Sequence, residues 1–111
     1  MTDEKPDILQ QLAATIRVRA KADGDASYTR ALLDGGAEKC AKKLAEEAAE
    51  TVIAAVSQDE KAVTAEAADL LYHLLVLLQA RGVSLDDVLA ELERRMGTSG
   101  LVEKAARKKD S

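Results

Sequence analysis

Lys42-Lys43-Leu44-Ala45-Glu46-Glu47-Ala48-Ala49-Glu50 and, beyond a turn at Ser57-Gln58-Asp59, Glu66-Ala67-Ala68-Asp69-Leu70-Leu71-Tyr72-His73-Leu74-Leu75-Val76-Leu77-Leu78 decide how this chain folds. Residues three apart on a helix share a face, with Cβ atoms roughly 5–6 Å apart, so each Glu-Ala-Ala-acid tetrapeptide presents two carboxylates side by side. If the chain reverses near Gln58, Glu47 comes level with Asp69 and Glu50 with Glu66 in an antiparallel helix pair. Four acids then converge. Two unit charges about 5 Å apart repel by about 1 kcal/mol in water and about 3 kcal/mol at an effective dielectric of 20, so the arrangement calls for a cation. Oxygen-only ligands favour Mg²⁺, with Mn²⁺ as the alternative. A solvated acidic stripe explains such residues less well, because exposed helix faces ordinarily alternate acids with bases. A ferritin-type di-iron site needs Glu-x-x-His on two helices and zinc prefers Cys and His, whereas the chain has one His and one Cys.

Outward from this hairpin, the composition argues for helix throughout. The chain has 111 residues with one Pro, six Gly and two aromatics, both Tyr. Ala, Leu, Glu, Lys and Arg dominate, so the expected class is all-α, one domain over residues 1–111, with an aliphatic core. Helices are predicted over about Asp7 to Ala22, Ala37 to Val56, Lys61 to Arg81 and Ser84 to Arg95. The connecting region with Ser27-Tyr28-Thr29, Leu32-Leu33 and Gly35-Gly36 is either irregular or one short helix. Cys40, Leu44, Ala48, Val52 and Ala55 form the expected inward face of the second long helix. Ser84 is expected to cap the last helix with Asp87 in a capping box. Leu70 to Leu78 is apolar on nearly all sides and must be surrounded, which four short helices do poorly alone. The expected assembly is therefore a homodimer that completes a bundle of four to five helices, with pairing into a tetramer left open.

The composition also bounds the partners. A net charge of −4 and two aromatics argue against a general nucleic-acid binder. The run from Leu70 to Leu78 is too short to span a membrane. Cys40 has no intramolecular partner, and Met1-Thr2-Asp3-Glu4 lacks secretory character, so the cytoplasm is the expected compartment. Lys104 and Arg107-Lys108-Lys109 read as a solvated tail within a flexible stretch from about residue 101. His73 is expected to be a core histidine with its hydrogen bonds met.

The two quoted stretches, together with Ser27-Tyr28-Thr29 ahead of Leu32-Leu33 and the ending near Ser99-Gly100, resemble the phosphoribosyl-ATP pyrophosphatases. These lie within the broader MazG-like all-α nucleoside triphosphate pyrophosphohydrolases, whose shared signature is Glu-x-x-Glu and Glu-x-x-Asp on adjacent helices. The resemblance covers roughly Ile8 to Arg107. Ala45 stands where family members often carry Gly, which removes no ligand. By this resemblance the reaction is hydrolysis of 1-(5-phosphoribosyl)-ATP to 1-(5-phosphoribosyl)-AMP and pyrophosphate, the second step of L-histidine biosynthesis. It further implies a Mg²⁺ site at Glu47, Glu50, Glu66 and Asp69, and a monofunctional chain, since the ligand set of the cyclohydrolase fused to some relatives is missing. Glu46, Glu47 and Glu50 are the candidates for catalytic carboxylates. Lys42 and Lys43 are candidates for the departing pyrophosphate, and Ser27, Tyr28 and Thr29 for phosphate or ribose contacts. Two rivals stand beside this reading: a house-cleaning pyrophosphohydrolase for a non-standard triphosphate, and a non-catalytic helical interaction dimer.

Overall fold

The computed structural model describes residues 7–21 and 27–97, and all of its regular structure is helical. In chain order the helices are α1 (Ile8–Lys21), α2 (Tyr28–Asp34), α3 (Gly36–Ser57), α4 (Glu60–Arg81) and α5 (Leu85–Met96). The expectations about Ser99-Gly100 and the tail carrying Lys104 and Arg107-Lys108-Lys109 fall outside the described residues.

Local chemistry sets the boundaries. Asp7 caps α1 by accepting the Gln10 N–H at 2.8 Å, and Gln10 Oε1 returns the bond to the Asp7 N–H at 3.1 Å, a reciprocal capping box. The box expected at Ser84 takes a simpler form, with Ser84 Oγ accepting from the second helical residue, Asp86, at 3.1 Å. Between the two long helices, Gln58 is extended and the Asp59 carboxylate accepts from the Ala62 N–H at 2.9 Å, so the chain reverses in two residues. Gly82 ends α4 in the left-handed region at φ 71°, with the Val83 N–H on the Leu78 carbonyl at 2.9 Å. That conformation suits glycine because it has no Cβ to clash.

α4 is the axis of the fold and packs against α1, α2 and α3, with α3 its closest companion. Ile16 of α1, Leu32 of α2, Cys40 of α3 and Leu75 and Val76 of α4 meet in one buried cluster. Each large aliphatic fully buried there contributes about 2 kcal/mol relative to exposure. Two polar bonds fix α2 into this cluster: Thr29 Oγ1 with the Tyr72 hydroxyl, and Cys40 Sγ donating to the Leu32 carbonyl at 3.3 Å. Burial also pushes the Cys40 thiol pKa up, in keeping with a packing role.

Two expectations are corrected. Val52 and Ala55 do not face inward: Val52 is 62% exposed and Ala55 is exposed, whereas Ala54 is fully buried. The inward stripe of α3 runs through Cys40, Leu44, Glu47, Ala48, Thr51 and Ala54. A strict four-residue step drifts off a 3.6-residue face, which is why the prediction failed at the far end of the helix. The second correction concerns α4, which is long and apolar enough to cross a membrane by length and composition, because the alanines before Leu70 extend the leucine-rich run. An Asp at mid-bilayer costs about 2.5–3.5 kcal/mol on insertion scales, and α4 carries both Glu66 and Asp69. Its packing on α1, α2 and α3 gives it the central place in the fold.

Candidate metal centre

Of the acids singled out in the sequence, Glu47 and Glu50 lie on α3 and Glu66 and Asp69 on α4. The two-residue turn sets the register that brings them together. Glu47, Glu66 and Asp69 each offer a carboxylate oxygen, and these oxygens lie within 4.8 Å of one another. Glu50 stands beside them. Burial pushes the Glu66 carboxyl pKa up, and the charge and hydrogen-bonding reach of Glu50, then the charges of Asp69 and Glu47, push it the same way. The charges that act on it are those of other acids, Glu50, Asp69 and Glu47.

The decisive detail is an unmet bonding requirement. Glu47 Oε1 and Glu66 Oε1 are buried without a hydrogen-bond partner. A buried carboxylate oxygen left unpaired is costly, and among like charges it is more so. A hard divalent cation satisfies both oxygens at once, and the donor set of oxygens alone suits Mg²⁺ or Mn²⁺. The residues therefore fit the cation that the sequence called for.

Thr51, which the sequence reading passed over, sits one turn beyond Glu47. Its hydroxyl lies 2.8 Å from the Glu47 carbonyl and 3.1 Å from the Glu66 carbonyl, a shared donor tying α3 to α4 at the level of the acids. One hydroxyl amid Ala48, Ala49, Ala54 and Ala55 was the signal available in the sequence.

The remaining candidates divide. Glu46 is exposed on the adjoining face and pairs with Lys43 at 3.2 Å. That hydrogen bond raises the Lys43 pKa, with the Tyr28 phenol oxygen and the Glu46 charge adding to it. Glu38, Lys39, Lys42, Lys43 and Glu46 line an open groove of about 530 Å³. Lys39 and Glu38 were not foreseen. Ser27 is the α2 N-cap, its hydroxyl accepting from the Arg30 N–H at 3.0 Å, and Thr29 is buried with its hydroxyl on Tyr72. Of those three, Tyr28 alone presents an open side chain, 55% exposed. His73 is buried as expected, but its Nδ1 has no partner, so the expected satisfaction is absent.

Comparison with known proteins bears directly on this geometry. The sequence profile described as phosphoribosyl-ATP pyrophosphohydrolase matches residues 9–96. Phosphoribosyl-ATP pyrophosphatase 1 of Bradyrhizobium diazoefficiens is 61% identical over 100 residues, covering 90% of this chain and 94% of the relative. The phosphoribosyl-ATP pyrophosphatase of Jannaschia sp. is 62% identical over 99 residues, covering 89% and 97%. That of Rhodobacter capsulatus is 59% identical over 99 residues, covering 89% and 96%. The matched span contains the whole α3–α4 hairpin and every acid on it, and the chain belongs to the phosphoribosyl-ATP pyrophosphohydrolase family.

Proposed function

We propose that this protein hydrolyses 1-(5-phosphoribosyl)-ATP to 1-(5-phosphoribosyl)-AMP and pyrophosphate, the second step of L-histidine biosynthesis, using Mg²⁺ held by Glu47, Glu50, Glu66 and Asp69. The observation that carries the reading is the convergence of acids from two helices with Glu47 Oε1 and Glu66 Oε1 buried and unpartnered. Bound there, Mg²⁺ supplies charge neutralisation and Lewis-acid polarisation of phosphate oxygens. Glu46 lies off the ligand face, paired with Lys43 at 3.2 Å, and its carboxylate takes the proton of the attacking water. Lys42 and Lys43, which line the groove together with Glu46, receive the negative charge that develops on pyrophosphate as the anhydride bond between the α and β phosphates breaks.

The protein works in the cytoplasm as a homodimer. Val52, Ile53 and Val56 at the end of α3 and Leu71 on α4 are all at least 42% exposed, and a second copy covers this apolar surface. Sedimentation of Val56→Glu tests that assembly, with a shift to monomer expected.

The activity is tested by pyrophosphate release from phosphoribosyl-ATP with Mg²⁺ and with chelator, beside ATP, dUTP and ITP. Rapid, metal-dependent turnover of phosphoribosyl-ATP above the others is expected. Preference for another triphosphate moves the protein to the house-cleaning branch, and no release from any substrate overturns the enzymatic reading.

A further inference from the structure

The chain has two tyrosines and one histidine in 111 residues, and all three meet in one place. Tyr28 and Tyr72 stack with ring centroids 6.2 Å apart and an interplanar angle of 19°. His73 meets both edge-on, 5.9 Å from Tyr28 and 5.0 Å from Tyr72. In a protein whose core is otherwise aliphatic, so local a gathering of rings asks for an explanation other than packing volume.

The three rings are not equally buried. His73 is 5% exposed and Tyr72 is half-buried with its hydroxyl fixed by Thr29, so together they form a rigid base. Tyr28 lies on top, 55% exposed at the first turn of α2. Tyr72 backs the Tyr28 ring and leaves a broad part of it open to solvent. An exposed, well-supported ring loses little freedom when something stacks on it, unlike an aliphatic side chain of equal area.

Its location says what would stack. Tyr72 and His73 follow Asp69 on α4 by three and four residues, which places the cluster one helical turn from the acids. Lys43 is paired with Glu46, the neighbour of Glu47 on α3, at 3.2 Å. A ligand whose phosphates reach the acids therefore carries its remaining parts past Tyr28. Among the parts of a nucleoside triphosphate, the base alone has a flat π face to offer, and such stacking is tolerant of exact hydrogen-bond geometry.

We infer that the open face of Tyr28, supported by Tyr72 and His73, is the stacking platform for the purine of the substrate, making Tyr28 a specificity-determining residue. This rests on the nucleotide reading of the acid site given above, and deepens it by naming where the base lies.

Calorimetric titration with ATP and with inorganic tripolyphosphate, in Mg²⁺, separates base from phosphate. The quantity read is the Kd for tripolyphosphate divided by that for ATP. Tyr28→Leu is expected to lower this ratio by about 5- to 150-fold, the range for loss of one base–aromatic stack, while Tyr28→Phe keeps it within about two-fold. An unmoved ratio in Tyr28→Leu overturns the platform, as does a Tyr28→Phe ratio that falls as far as that of the leucine variant. A change of oligomeric state in Tyr28→Leu with an unmoved ratio also overturns it, and assigns the ring to a subunit contact. Circular dichroism melting of both variants establishes that they fold, the phenylalanine variant serving where the leucine one does not. The result is independent of turnover. Wild type that fails to cleave phosphoribosyl-ATP yet shows the ring-dependent ratio loses the proposed reaction and keeps the platform; active wild type with an unmoved ratio does the reverse.

Discussion

Glu66 on α4 and Glu91 on α5 are the same side chain in opposite company. Glu91 accepts from Arg94 at 2.7 Å and Arg95 at 2.9 Å, both on its own helix, and these bonds hold its carboxyl pKa down to about 2. Glu66 faces Glu50, Asp69 and Glu47, and burial and those charges hold its pKa above the ordinary value of 4.5. A stretch of chain can neutralise its own acids with bases three or four residues on. On α3 and α4 it brings acids together from two helices, which folding alone gives no reason to do. The difference teaches that an acid's partners, more than its presence, mark the site.

The largest expected effect is on Glu66 itself. Glu66→Gln should lower pyrophosphate release more than about 100-fold, while in chelator its Tm equals or exceeds that of the parent, because like-charge repulsion is relieved. Mg²⁺ should raise the Tm of the parent and not of the variant, by binding the folded state alone. Thermal melts with and without metal check this, and an active Glu66→Gln enzyme would break the comparison outright. Next is Thr51→Val, which removes the hydroxyl shared between the Glu47 and Glu66 carbonyls. A fall of about ten-fold in kcat/KM is expected, equivalent to about 1.4 kcal/mol, with recovery in Thr51→Ser. A serine variant no better than valine would show that methyl packing, and not the hydroxyl, fixes the register.

The pH dependence of stability should then run in opposite directions for the two acids. A carboxyl whose pKa is higher folded than unfolded takes up a proton on folding, so the contribution of Glu66 in metal-free protein becomes more favourable as pH falls from neutrality toward 4.5. Glu91, with its lowered pKa, contributes stability that is complete above 4.5 and is lost as pH falls toward 2. Melts across that range in chelator, for parent and Glu66→Gln, should differ most at neutral pH and converge in acid. The smallest effect is that of Glu91→Gln at neutral pH, a fall in Tm of no more than about 2 °C with unchanged kcat/KM, since exposed ion pairs contribute little.

Most of the fold was legible because its signals are local. The tetrapeptides, the turn at Ser57-Gln58-Asp59 and Gly82 place the two long helices within a residue of where they stand. The facing of Glu47 with Asp69, and of Glu50 with Glu66, follows from that turn by counting. Legibility failed where a local count was carried too far or where the information was not local. Val52 was assigned inward by stepping four residues at a time from Cys40, a count that drifts off the true helix face by that point, and its apolar character gave no warning of the 62% exposure. The capping box was expected at Ser84 and occurs at Asp7 and Gln10, since both sequences permit one and only the geometry of chain entry decides. The Tyr28–Tyr72–His73 cluster joins α2 to α4 across a long stretch of sequence, and neither spacing nor composition announces it.

The two-residue reversal at Gln58 and Asp59 also carries a kinetic consequence. All four acids lie between Glu47 and Asp69, so the site is closed by joining one helix to the next and needs no distant part of the chain. Contacts this close in sequence form early and cheaply, because little loop entropy is lost in making them. A hairpin that zips from its turn brings Glu50 to Glu66 before Glu47 to Asp69. Repulsion thus accumulates along the folding route itself, and a cation present during folding would hasten the step at which those carboxylates first meet.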